Sequence, residues 1–145
     1  MPKAINPLQV FNFHIEIEGL VTAGFSECSG LQAEIEAQSY LEGGVNGFEH
    51  QFWGRTKYPR LVLKRGLTQI DGLWNWYWEV TQGKVRRKNG TIYLQDGGHR
   101  PLFAWHFIQA LPVKWTGPEL RADSATVAFE TVEVVHQGLH WENIR

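Results

Sequence analysis

Apolar and polar residues alternate along much of this chain, and the alternation is the first guide to its structure. From Val10 to Glu18 the apolar positions Phe11, Phe13, Ile15 and Ile17 fall on one side, with Asn12, His14, Glu16 and Glu18 on the other. A period of two places successive side chains on opposite faces of a half-buried strand, and Gly19 ends it. The stretch Leu31–Gln38 repeats the pattern, with Leu31, Ala33, Ile35 and Ala37 against Gln32, Glu34, Glu36 and Gln38. Its Ala, Glu and Gln content would suit a helix, but strict alternation favours a strand. Shorter alternating or apolar runs predict strands at Leu61–Gly66, Thr91–Leu94, Leu102–Leu111 and Ala125–His136.

Between these runs the chain is punctuated. Phe25–Gly30, with Ser26, Ser29 and Gly30, reads as a connector rich in turn formers. Asn89-Gly90 predicts a hairpin turn, Asp96-Gly97-Gly98 a second turn, and Pro112 with Gly117-Pro118 a turn region around Trp115. One stretch has helical spacing. Thr68–Gly83 carries Leu73, Trp74, Tyr77, Trp78 and Val80 on one face, with Thr68 or Asp71 to cap it and Gly83 to close it. Trp76 points away from Trp74 and Trp78, and so meets either a partner or a strand of the same fold. Many short strands with one helix predict a mainly β protein, an antiparallel β-sandwich or barrel with one flanking α-helix.

The segment Glu42–Tyr58 fits neither period. Gly43, Gly44, Gly47 and Gly54 are interspersed with Phe48, Phe52 and Trp53, as in an extended loop or a long hairpin tip. Large aromatics on an exposed segment of this kind suggest a partner surface.

The 145 residues suit a single domain, 1–145, with a flexible polar lead-in at 1–9. The net charge of −1 gives no overall footprint for nucleic acid or membrane. Its distribution is uneven. Residues 1–50 hold one Lys and seven Glu, 51–100 hold ten Lys or Arg and three acids, and 101–145 hold three against five, or −6, +7 and −2. Such segregation either pairs within the subunit or lets the basic face of one copy meet the acidic face of the next. Lys84, Arg86, Arg87 and Lys88 form the densest basic run, beside a turn.

Candidate chemistry is sparse. Six histidines lack metal-ligand spacing such as HExxH. The lone Cys28 has no local base to activate it and cannot form an internal disulfide. There is no GxSxG, GxGxxG or P-loop pattern. An enzyme reading therefore finds no constellation, and no cofactor or metal is expected. No apolar run reaches the ~18–20 residues of a membrane span, and no secretion signal opens the chain. The product is thus expected to be assembled in the cytoplasm and to leave it only by lysis or within a larger particle.

Several motifs, in order, carry a family resemblance. They are Asn12–Gly19 followed by Phe25–Leu31, then Gly43–Asn46, Gly54–Pro59 and Leu63–Gly66, then Leu73–Trp76, Leu111–Pro118, Glu130–Glu133 and His136–Leu139. Together they resemble the conserved phage tail protein family, the T4-like tail tube superfamily that includes the inner tubes of extracellular contractile injection systems. The resemblance implies a non-catalytic subunit whose hexameric rings stack into a hollow tube inside a contractile sheath. The implied partners are other copies of itself, the sheath, baseplate or tube-initiator and tail-terminator proteins, and effector cargo or DNA in the lumen.

Under that reading, Gln32, Glu34, Glu36 and Gln38 are expected to line the lumen, although alternation alone fits an ordinary solvent face equally well. Contacts between subunits or rings are expected from Gly43, Gly44, Phe48, Phe52, Trp53, Arg55 and Lys57, and from Arg86, Arg87 and Lys88. The competing readings are a tube initiator or adaptor at the baseplate and a ligand-binding β-sandwich using exposed Trp residues.

Overall fold

The computed structural model describes residues 12–22, 24–40 and 50–144, with the side chains of 38–40 and 50–53 outside the description. The strands are β1 (Asn12–Ile17), β2 (Phe25–Ser29), β3 (Glu34–Tyr40), β4 (His50–Lys57), β5 (Leu61–Gly66), β6 (Lys88–Gln95), β7 (Pro101–Thr116), β8 (Phe129–Val135) and β9 (Gly138–Asn143), with one helix, α1 (Gly72–Thr81), between β5 and β6. All pairings are antiparallel, and the larger sheet runs β1-β6-β7-β8-β5-β2, with β9 also on β7. Among the described residues β3 and β4 pair only with each other.

The long strand β7 makes this a two-layered structure. Its first half pairs with β6 and β9, and its second half, from Leu111, pairs with β8. The change comes at Gln109, whose φ of 54° breaks the extended backbone. An irregularity of this kind bends a strand and re-aims its side chains. The freed Gln109 N–H donates to Asn89 Oδ1 at 3.0 Å. Sheet A (β1-β6-β7-β9) thus faces sheet B (β2-β5-β8-β7) across one core. That core includes Ile15, Ile17, Leu61, Leu63, Ile92, Phe107, Val132 and Val134, all nearly inaccessible.

Three sequence expectations are corrected here. Phe25–Ser29 is strand β2, not a connector, because its backbone pairs with β5. Asn89-Gly90 lies within β6 and makes no turn. Asn89 serves the Gln109 irregularity, and Gly90 is needed because a Cβ there would overlap the Phe107 ring and come within 2.8 Å of the Glu16 carbonyl oxygen. Residues 112–116 around Trp115 continue β7 rather than turning. The expected turn at Asp96-Gly97-Gly98 does form, with Asp96 Oδ1 accepting from the N–H groups of Gly98 and Arg100. Those bonds, the one from Arg100 foremost, hold the Asp96 carboxyl below its usual pKa.

The helix lies within the 68–83 window. Thr68 Oγ1 accepts the Ile70 N–H just ahead of it, and Gly83, at φ +87°, ends it where a side chain would be strained. Its buried residues are Leu73 and Trp76, three apart. The expected apolar face is therefore inverted at the tryptophans. Trp76 is 2% exposed, whereas Trp74 and Trp78 are 37% and 49% exposed. The indole of Trp76 donates to the Arg86 carbonyl at 2.8 Å, which ties the helix to the segment leading into β6.

Candidate functional site: surfaces for assembly

Among the described residues no three His, Cys, Asp or Glu side chains are grouped as metal ligands. Burial pushes the Cys28 thiol up to about 11, so it stays protonated at neutral pH and is a poor nucleophile. Among the described residues no helix is long and apolar enough to cross a membrane. The distinctive features are instead surfaces.

The first is the β3–β4 hairpin. Its strands bond to each other and not to either main sheet. Ile35 is 57% exposed, and Glu34, Glu36 and Ala37 are exposed as well. Among the described residues nothing covers the apolar side of β3 at Ile35. Glu36 and Lys57 form an ion pair across the hairpin at 3.5 Å, and Arg55 is exposed on β4. Of the other residues expected to matter here, Gln32 is exposed ahead of β3. Gly43, Gly44, Phe48 and the side chains of Gln38, Phe52 and Trp53 lie outside the described residues. Half of the expected 42–58 loop, His50–Lys57, is the second arm of this hairpin.

The second surface is aromatic. Trp74 stacks on Trp78 at 5.8 Å and meets Trp115 edge-on at 5.0 Å. Trp74 and Trp115, with Leu67 and Ile70, line an open cleft of about 350 Å³ that has Glu130 at its base. Glu130 is held by a buried network that the sequence reading did not identify. Arg65 Nε donates to Glu130 Oε1 at 2.5 Å, and its two Nη atoms donate to the Val21 and Ile70 carbonyls at 3.1 and 3.3 Å. Trp115 Nε1 donates to Glu130 Oε2 at 3.2 Å. The signal was in the alternation, since Arg65 shares the parity of Leu61 and Leu63, and Glu130 that of Val132 and Val134.

The third feature is the root of the hairpin. His136 is 8% exposed, and its ring lies 5.2 Å from that of Tyr58, the residue that follows β4. Its Nδ1–H donates to the Gly138 carbonyl at 3.0 Å, and Nε2 has no hydrogen-bond partner among the described residues. Burial lowers the pKa of this ring. The Gly138 and Pro59 carbonyls pull the other way, but only Gly138 is met in hydrogen-bond geometry. The unfolded chain therefore takes up a proton on this residue before the folded one does. Stability should be at its plateau above about pH 6.5 and should fall on acidification until the lowered native pKa is passed. Urea midpoints at pH 7.5, 6.5 and 5.5 test this, and His136→Phe should reduce the acid-side loss. An unchanged slope in that variant would assign the loss to other groups.

Arg86 and Arg87 are exposed in the loop before β6, and Lys88 begins that strand. Arg87 donates to the Gln109 carbonyl at 3.2 Å.

Comparison with known proteins gives these surfaces a context. The family model described as T4-like virus tail tube protein gp19 matches residues 9–140. No curated protein matches the chain. Among solved structures, a chain of the sheath-tube complex of an extracellular contractile injection system (PVC), in the extended state, superposes with a TM-score of 0.85 at 21% identity, covering 95% of this chain and 93% of that one. A chain of the anti-feeding prophage baseplate gives 0.78 at 22%, covering 98% and 99%. Hcp1 from Flavobacterium johnsoniae gives 0.62 at 15%, covering 92% and 96%. At these identities the likeness is one of fold, and it is the mainly β fold with a single flanking helix expected from the alternation. With nearly the whole chain matched in sequence, this protein belongs to the T4-like virus tail tube protein gp19 family.

Proposed function

We propose that the chain is the structural inner-tube subunit of a phage tail or contractile injection system, with copies forming hexameric rings that stack around a lumen. The observation that carries this reading is membership of the tail tube family over residues 9–140. The subunit's surface is consistent with it. A two-stranded hairpin on its own is marginal in water, yet β3–β4 stands apart with Ile35 uncovered. A neighbouring subunit that covers this hairpin, or pairs with its edges, removes both liabilities. In this reading the work of the protein is assembly, with no catalysis. The partners are the sheath, the baseplate and a terminator, the lumen conducts cargo or DNA, and the tube is assembled in the cytoplasm before it travels with the particle. Glu34 and Glu36 face the lumen, and residues 42–58 make contacts between subunits.

Negative-stain microscopy of the purified chain tests this. Stacked rings are expected, and deleting Gly43–Thr56 should leave monomers or isolated rings. Tubes of normal length from that deletion would remove the hairpin from the assembly. The baseplate chain's likeness supports a second reading, a tube initiator used in few copies, for which single unstacked rings are the expected result.

A further inference from the structure

The outward faces of the two sheets carry charge in different ways. On sheet B the charges compensate one another: Lys64 pairs with Glu27 at 4.0 Å, and Arg60 and Lys114 both pair with Glu133 at 3.6 Å. On sheet A the register aligns two outward rows across all four strands. One is Glu16, Thr91, His106 and His140, and the other is His14, Tyr93, Ala104 and Glu142. Neither row contains Lys or Arg. Its carboxylates meet only imidazoles, His14 to Glu16 at 3.4 Å and His106 to Glu142 at 2.6 Å. All four of these side chains are at least one-third exposed. Among the described residues these two rows therefore carry carboxylates and no Lys or Arg.

The complementary surface is in the same chain. Lys84, Arg86 and Arg87 are exposed on the segment between α1 and β6, and Lys88 adjoins them. Among the described residues none of the four is in an ion pair. Arg87 reaches only the neutral Gln109 carbonyl.

From these two unmatched patches we infer that the outward face of sheet A receives the Lys84–Lys88 segment of a second copy. This rests on the tube reading and deepens it by naming the two surfaces of one subunit contact. Two complementary patches on one chain allow the contact to repeat head-to-tail, the arrangement that builds rings and stacks and that the tube reading requires. Complementary charge fixes the register of such a contact and disfavours wrong ones.

The test is a charge swap, read as the protein concentration needed for assembly by sedimentation and negative-stain microscopy at low salt and pH 7.5. Arg86→Glu with Arg87→Glu, and separately Glu16→Lys with Glu142→Lys, should each raise that concentration about tenfold, as expected when several surface attractions become repulsions. Combining all four changes should restore it. All four positions of the swap are exposed, and an unchanged thermal melt would separate lost contact from lost fold. Tubes that form equally well in both pairs of variants, or a combined variant that does not recover, overturn the contact and leave the tube reading standing. A wild-type chain that stays monomeric at every concentration overturns both.

Discussion

Replacing Glu130 with Leu should lower the unfolding free energy by about 3–5 kcal/mol, because it leaves the Arg65 guanidinium buried without its counter-charge. Arg65 and Glu130 are each about 2% exposed, and the ion pair between them is the one fully desolvated pair among the described residues. The guanidinium also holds the Val21 and Ile70 carbonyls, so one side chain links the approach to β2, the approach to α1 and the start of β8. Glu130→Leu would strand a charge, and it would also leave the Trp115 indole N–H without its acceptor. The double variant Arg65→Met with Glu130→Leu removes both charges, and should recover a large part of the loss, since apolar replacement of a whole buried pair is often nearly neutral. Urea unfolding of the single and double variants measures both effects. A single variant that loses less than about 1 kcal/mol, the range of an exposed pair, would mean that water reaches the site.

The same pair illustrates what was legible in the sequence. Alternation predicted the strands that became β1, β3, β5, β6, β7 and β8, but not β2, β4 or β9, and it did not say which face of β5 or β8 is buried. Arg65 has the parity of Leu63 and Glu130 that of Val132, and the two charges meet because β5 and β8 are neighbours, with Arg65 opposite Glu130 in the register. That partnership joins residues 65 apart in the chain, and no local pattern encodes it. Turn chemistry misled for a related reason. Asn89-Gly90 has the composition of a hairpin turn, but its glycine answers a steric demand from Phe107, and its asparagine caps an irregularity at Gln109. Both demands come from β7, far along the chain. β2 was missed because its burial is shallow and its serines are ordinary turn formers. For the proposed contact surfaces, composition gave the basic run and the acidic N-terminal third. Which of these charges are compensated within the subunit became visible only with the sheet register.

Trp76→Ala should cost about 3–5 kcal/mol of stability, the range for truncating a large buried aromatic, whereas Trp78→Ala should cost under about 1 kcal/mol, in keeping with a side chain that is half exposed. The contrast follows from the helix position. Leu73 and Trp76, three apart, share the buried stripe. Trp74 and Trp78, four apart, share the outer one, where they stack on each other and Trp74 reaches Trp115. Trp76 carries a further penalty on removal, since its indole bond to the Arg86 carbonyl fixes the middle of the basic segment. Trp76→Phe should keep much of the packing but release that bond, so it separates burial from tethering. If the segment's placement matters for assembly, Trp76→Phe should fold with most of its stability yet assemble at a higher protein concentration than wild type. Trp78→Ala leaves that tether intact, so any assembly defect it shows would come from the aromatic surface itself. Denaturant midpoints beside sedimentation profiles of the three variants distinguish these outcomes. Equal destabilisation by Trp76→Ala and Trp78→Ala would contradict the placement of the helix on the core.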